Sequence, residues 1–477
     1  MDHCIVAAGT PSTAAAGAAV REVGGNAVDA AVAAAIASWV CEPGMTATGS
    51  AVLALVRPAG GEPLLVDGLT AMPGLGGHVS DPPGGQRVVM DYGPGVETGI
   101  GPGSVAVPGG PAALGLLQRE WGLLAWADVV EPAIRLAAGG FPWPGVSAIY
   151  FPISGELIYD LTPGSSRIWR GDGGRPRRKG EVTTLPDLAA DLELLAEEGS
   201  DVLYTGPLGE RIGSWITENG GALSPEDLAA YRVEVRKPLL GADHGWQVAM
   251  ADTIGGEALG EIVAGFAQVK PGSDGEAGRL VSVMSAALHR RDQRLARASA
   301  STTQICAVDR DGNACSITTS TGYGAGVVVP GTGVMLNNML GELELLPNGP
   351  DVLQPGERLP SNMTPMVASR GRCAVAIGAA GADRIAPAIA QVWRGIVARG
   401  ESVEAAVAAP RFHVRESAGE KYLDHEPGFH PYEVGMPVNP FQSPHMYFGG
   451  VQAAAVYSDG RLDAGSDPRR GGAVIIG

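Results

Sequence analysis

A chain of 477 residues, 45% hydrophobic and 18% charged, is long enough to bury a large core. Its formal net charge of −17 argues against nucleic acid or an anionic membrane as partner, since both attract basic patches. No run of 18 apolar residues occurs, because Asp29 and Glu42 interrupt the most apolar stretch, and MDHCIVAAG lacks a basic segment followed by an apolar one; a soluble, cytoplasmic protein is expected.

Residues 4–8 read as a strand, and Thr10-Pro11 open an Ala-rich helix that stops at Gly24-Gly25. A second helix is expected from Ala27 to about Val40. The runs SAVLALV and PLLVDG flank RPAGGE and suit a hairpin within a sheet. Residues 68–108 are rich in Gly and Pro with little periodicity, and an ordered surface loop is expected there. From 109 to 235 the pattern is mostly helical: LPDLAADLELLAEEG spaces its leucines helically, and SPEDLAAY has an N-cap serine, a proline at the first helical position and acids in the first turn. After residue 302 strands dominate, in TQICAVD, ACSITTST, GVVVPG, CAVAIGAAG and VQAAAVYSDG, with helices at 386–399 and 402–408. That order suits an α/β sandwich better than a Rossmann sheet.

Several chemistries are dismissed by spacing. DRDGNACSITTS resembles a calcium loop at its first positions, but Ala314 and Ser320 stand where glycine and glutamate are needed, so it reads as a hairpin turn. GGPAALG lacks a dinucleotide fingerprint, and no phosphate-binding loop, H-E-x-x-H or G-x-S-x-G occurs. His413, His425 and His430 fall in a Pro-rich region without ligand spacing, so no metal and no cofactor is expected. Cys4, Cys41, Cys306, Cys315 and Cys373 are odd in number and without C-x-x-C spacing; they read as small core residues.

Thr302-Thr303 opens an apolar strand ending at the Asp311-Gly312 turn, and by itself the pair fits either of two readings. Threonine is β-branched and suits a strand. Alternatively the chain is cut before Thr302, and the freed amine and hydroxyl form a catalytic unit.

VREVGGNAVDAAVAAAIASWVCEP, the stretch from LPDLAADLELLAEEG to SPEDLAAY, the segment from Thr302 to GVVVPGTGVMLNN, LPSNMTPMV, GAAGADRI and LDAGSDPRRGGA together resemble the γ-glutamyltransferase family, in the right order and along nearly the whole chain. The resemblance implies an N-terminal-nucleophile hydrolase, a four-layer αββα sandwich that cuts itself between Ser301 and Thr302. The products would be a large piece, 1–301, and a small one, 302–477, with a dimer of these left open. A hydroxyl is a weak nucleophile, and an α-amine with an unperturbed pKa of about 7.7–8.0 can take its proton without a histidine. By the resemblance Thr302 is the nucleophile, Ser320 a hydroxyl in contact with it, and Gly381 and Ala382 the residues whose backbone N–H groups form the oxyanion hole.

The glutamate-binding pattern departs from the family. The family's D-x-R-E-x-A-P stretch reads DGLTAMP at 67–73, and the downstream arginine that in the family grips the glutamyl carboxylate has no match before Gly101, Arg87 being the nearest candidate. Met339 stands for a glutamine, Gly341 and Glu342 for two acids, and Ser361 and Asn362 for paired serines, so the substrate-binding set is Met339, Glu342, Ser361 and Asn362. Losing a bidentate arginine removes strong charge-assisted bonds to a carboxylate. A small-molecule substrate other than glutathione follows, carrying a smaller or less acidic acyl group on an amide-like or C–C bond, in specialised metabolism. The alternatives are a true γ-glutamyl hydrolase or transferase, and a binding or scaffold protein defective in processing.

Overall fold

The computed structural model describes residues 3–91, 95–295, 301–417, 419–432 and 434–477, so both Ser301 and Thr302 lie within this set. Two antiparallel sheets lie face to face. The first runs in the order Ala473–Ile476, Cys4–Ala8, Ser301–Asp309, Ala314–Gly322, Ala51–Arg57, Leu64–Gly68 and Glu234–Arg236. The second runs Leu462–Ser466, Gly450–Val456, Cys373–Ala380, Met366–Arg370, Trp246–Met250 and Leu239–Asp243.

Strand side chains alternate between faces, and this sorts the apolar residues into three cores. Leu53, Leu55, Cys306 and Val308 meet Ala374, Ala376, Ala454 and Val456 between the sheets. Val52, Ala54, Ile305 and Ala307 face the other way, toward the helices Pro11–Glu22 and Ala27–Cys41. Beyond the second sheet, Val375, Ile377, Ala453 and Ala455 pack under the helices Ile254–Ala267, Glu276–Asp292 and Ile385–Arg399. Helix, sheet, sheet, helix is the αββα sandwich expected.

Local chemistry sets the helix ends. Thr10 accepts the Thr13 N–H at 3.2 Å. Asn26 accepts from Val28 and Asp29, and Asp29 returns a bond to the Asn26 N–H at 2.9 Å, a capping box. Every residue of Ala27–Cys41 is buried, and small side chains let its partner helix approach closely: a Cβ added at Gly17 would stand 2.6 Å from the Ala30 carbonyl oxygen. The DGN segment is a hairpin turn, in which Asp309 accepts from the Asn313 N–H and side-chain amide and from Ala27 N–H. The five cysteines are free and buried. Among the described residues no helix is long and apolar enough to cross a membrane.

Two expectations are corrected. Residues 68–108 contain a hairpin, Gln86–Met90 with Val96–Ile100. Its first strand is largely exposed and so carries no apolar alternation; the hairpin is held instead by the Asn338 amide, which donates to Thr98 Oγ1 and Gly99 O. GVVVPG forms no strand. Gly326 turns at φ 71°, so close to the Ile158 carbonyl that a Cβ would reach 1.8 Å, and Val328 makes only an isolated bridge to Met335. Its valines are buried in the helical layer without a ladder.

Candidate active site

Alternation separates the two threonines. Counting back by twos from Val308 and Cys306 puts Gln304 and Thr302 on the face toward the second sheet, and a Cβ at Gly378 of that sheet would indeed collide with the Gln304 carboxamide. Thr303 faces the helices. There Thr13 Oγ1 donates to Glu42 Oε1 at 2.8 Å, and Thr303 bonds the same carboxyl. Burial raises the Glu42 pKa, an effect opposed by the bonds from Thr303 and Thr13 and by the charge of Arg470. Thr303 is thus committed to a buried polar cluster, while Thr302 stands at the rim of the inter-sheet core.

The strand beside Thr302 is irregular at that point. Ser301 pairs with Gly322 and Thr303 with Thr319, so Ser320 and Thr321 together oppose Thr302 alone, a β-bulge. Ser320 Oγ accepts the Gly322 N–H at 3.0 Å and donates its own proton to the Ser301 carbonyl at 2.5 Å. That carbonyl belongs to the Ser301–Thr302 peptide, the one an autocatalytic cut would break. Thr319, next in the strand, is fixed by contacts to Thr46 Oγ1 at 3.0 Å and Ser50 Oγ at 3.1 Å.

Thr302 is only 4% exposed, and it lines a narrow cavity of about 30 Å³ that gathers Ser320, Met339, Glu342, Ser361, Asn362 and Ala382. The fold therefore brings together residues drawn from five separate stretches of sequence. Leu69, Leu345, Leu359, Met363 and Ile385 complete an aliphatic wall, and among the described residues no Arg, Lys or His lines it. Gly381 precedes Ala382 in a turn closed by the Arg384 N–H on the Gly381 carbonyl. A Cβ on Gly381 would lie 2.8 Å from Gly449 Cα, so glycine is required there. Ala382 has φ 54°, the left-handed region that normally favours glycine, a strain typical of functional turns.

The polar atoms of the cavity are poorly satisfied. Glu342 is 2% exposed, its Oε2 has no partner among the described residues, and burial, reinforced by the charge of Glu344, raises its pKa well above the ordinary carboxylate value. Both Oδ1 and Nδ2 of Asn362 are buried without partners among the described residues. Ser361 Oγ accepts the Met363 N–H at 3.0 Å. Arg87 is exposed on the Gln86–Met90 strand and does not line the cavity. His413 and His425 lie on adjacent strands and no cluster suited to a metal ion is found among the described residues.

The sequence reading gave no role to Asn337, Asn338 or Glu42. Asn337 bonds Gly49 O, Ala106 N–H and O and the Met339 N–H, and Asn338 bonds Tyr323, Gly324, Thr98 and Gly99. These two fully buried amides bolt the cavity's 339–342 turn to three other segments. A polar pair between apolar runs, VMLNNML, was the available signal.

The family model described as Gamma-glutamyltranspeptidase matches residues 13–300 and 286–477. The acylase ACY 1 proenzyme of Pseudomonas sp. (strain SE83) is 31% identical over 456 residues, covering 84% of this chain and 80% of the relative. The glutathione hydrolase proenzyme of Escherichia coli (strain K12) is 27% identical over 517 residues, covering 94% and 87%. The crystal structure of cephalosporin acylase from Bacillus halodurans is similar with a TM-score of 0.78 at 26% identity, over 99% of this chain and 96% of that one. With two packed sheets between helical layers and a threonine placed at the end of the inter-sheet core, this chain belongs to the gamma-glutamyltranspeptidase family and is an enzyme of its N-terminal-nucleophile hydrolase and transferase type.

Proposed function

We propose that the chain cuts itself between Ser301 and Thr302, and that Thr302 then hydrolyses or transfers an acyl group held in an amide-like bond, the acyl group carrying no clamped carboxylate. The observation that carries this reading is the composition of the Thr302 cavity. Among the described residues the wall of that cavity is aliphatic and carries no cation, so a carboxylate there finds nothing to pair with, and burying one unpaired is costly. The unpartnered atoms of Glu342 and Asn362 favour instead a substrate with an N–H donor and an amide-like group near that end.

The chemistry balances with residues of this chain. In maturation, Thr302 Oγ1 attacks the Ser301 carbonyl carbon, and the charge that develops on the Ser301 oxygen falls on the Ser320 hydroxyl already bonded to it. The C–N bond breaks as the Oγ1 proton passes to the Thr302 nitrogen, which leaves as the free amine; the acyl group stays on Oγ1 as an ester, and water hydrolyses that ester to release residues 1–301 and restore the hydroxyl. In turnover that amine takes the hydroxyl proton as Oγ1 attacks the substrate carbonyl, then returns it to the leaving group. The backbone N–H groups of Gly381 and Ala382 serve the second oxyanion. Water or an amine resolves the acyl-enzyme, and a C–C bond is open to the same sequence when the leaving carbon accepts the proton. The acylases among the relatives favour this reading over glutathione as substrate.

The test is a comparison of p-nitroanilides on fully processed enzyme: butyryl and hexanoyl anilides, and their α-amino counterparts, against the γ-glutamyl anilide. Turnover of the uncharged or amino-substituted acyl groups is expected. A clear preference for the γ-glutamyl anilide would overturn the proposal.

A further inference from the structure

Among the aliphatic side chains between the two sheets lies a cluster of polar ones. In the first sheet Gln304 pairs across the strands with Thr318, and Cys306 with Ser316. Facing them in the second sheet is another cross-strand pair, Gly378 with Gln452. All six residues are buried. Thr318 Oγ1 donates to Gln304 Oε1 at 2.6 Å, and Gln304 Nε2 donates to Ser316 Oγ at 3.0 Å. Two further bonds cross between the sheets: Ser316 Oγ donates to the Ile377 carbonyl at 3.0 Å, and Cys306 Sγ to the Gln452 carbonyl at 3.2 Å. A Cβ at Gly378 would lie 2.3 Å from the Gln304 carboxamide carbon, so the glutamine seats directly on the glycine backbone.

A buried glutamine carries a desolvation cost that Met or Leu would avoid. What the polar cluster adds is direction. Apolar contact is non-directional and tolerates a small slide of one sheet over the other, whereas hydrogen bonds to fixed carbonyls do not. Such a slide matters because the site is divided between the sheets. Thr302 and Ser320 neighbour Gln304 and Thr318 on the first sheet, and the strand that carries Ile377 and Gly378 runs on into Gly381 and Ala382.

We propose that Gln304 and Ser316 are positioning residues: they fix the offset of one sheet on the other, and so the distance from Thr302 Oγ1 to the backbone N–H groups of Gly381 and Ala382. This rests on the reading of Thr302 as nucleophile and of Gly381 and Ala382 as oxyanion donors. Maturation makes a different demand, since Ser301, Thr302 and Ser320 all belong to the first sheet. The cluster therefore governs turnover and not the cut.

Two variants test this against wild type. Ser316→Ala removes a cross-sheet bond; Gln304→Met combined with Thr318→Val replaces a bonded pair by apolar groups of similar shape, a change that is nearly neutral for folding. Each fully cut enzyme is mixed with p-nitrophenyl hexanoate. Thr302 Oγ1 attacks the ester carbonyl, its proton passes to the Thr302 amine, p-nitrophenolate leaves, and the small fragment gains a hexanoyl group by intact mass. Both variants should cut near the wild-type rate and keep the wild-type half-saturation by ester. Their maximal acylation rate should fall about tenfold or more, because misplacing reacting groups by about 1 Å costs up to about a hundredfold. Acylation at the wild-type rate in both variants would overturn the inference alone. So would cutting and acylation that slow together, or losses that merely follow the unfolded fraction in thermal melts. A wild type that neither cuts nor is acylated at Thr302 would overturn the underlying reading, and this inference with it.

Discussion

Replacing Ser320 by alanine isolates the role of one hydrogen bond in maturation. In the uncut chain the hydroxyl donates to a neutral carbonyl at 2.5 Å. A neutral bond contributes roughly 0.5–1.5 kcal/mol and a bond to a charged partner roughly 1.5–3 kcal/mol, so the part gained as the Ser301 oxygen becomes an oxyanion is about 1–2 kcal/mol by difference. Only that gain accelerates the step, because ground-state bonding lowers both levels equally. At about 1.4 kcal/mol per factor of ten, the difference sets a floor of roughly tenfold, while deletion of a preorganised oxyanion donor elsewhere costs roughly 10²–10³-fold. Ser320→Ala should therefore process at least about tenfold more slowly than wild type. Precursor made by short cell-free synthesis and followed by intact mass gives the first-order rate directly. Thermal unfolding of the same samples separates slow chemistry from poor folding. A well-folded Ser320→Ala chain that cuts at the wild-type rate would refute the argument, since the donor would then contribute nothing as charge develops.

Thr302→Ala should yield one uncut band by intact mass, whereas Cys306→Ala should still cut, because Cys306 is a buried core thiol whose pKa is pushed up to about 12 by burial. Glu342→Gln should cut normally but raise the KM of the true substrate about two- to tenfold, the loss of one neutral hydrogen bond of roughly 0.5–1.5 kcal/mol, measured by initial rates. The same variant should alter the pH profile of stability. A carboxyl with a raised pKa contributes stability that is fully present below its unfolded value and is lost as pH rises through the folded one, so the Tm of wild type relative to Glu342→Gln should decline as pH rises above the ordinary carboxylate range. Arg411 and Asp467 form a buried pair at 2.6 Å, and Arg411→Ala should cost about 3–5 kcal/mol by leaving Asp467 less well paired; denaturant unfolding measures it.

The parts of the fold legible in the sequence are those that local chemistry decides. Thr10-Pro11 and Asn26 announce helix starts by supplying acceptors for free N–H groups, and the alternation in TQICAVD marks a strand. The same alternation assigns Thr302 and Thr303 to opposite faces, but which face holds the nucleophile depends on the second sheet. That sheet is built from segments as distant as Trp246–Met250 and Gly450–Val456, and nothing local specifies such a pairing. Glu42 shows the same limit: along the chain it merely interrupts an apolar run, while in space it is buried against Thr13 and Thr303. GVVVPG misled because β-branched residues also suit a buried loop when a turn such as Gly326 denies them a partner strand. The Thr302 cavity could be assembled in advance only through family resemblance, since its residues share neither spacing nor period.

The first sheet pairs strands from opposite sides of the Ser301–Thr302 bond at three of its six steps: Cys4–Ala8 lies between Ala473–Ile476 and Ser301–Asp309, and Ala51–Arg57 pairs with Ala314–Gly322. A cut at that bond would leave two polypeptides woven through one another, unable to part without tearing ladders on both sides. Before the cut, folding is unimolecular; afterwards, recovery from full unfolding becomes a search by two molecules and depends on their concentration. The scission would thus act as a ratchet. A chain could reach the finished sheet only while whole, and once severed its survival would be governed by how slowly it opens rather than by how readily it re-forms.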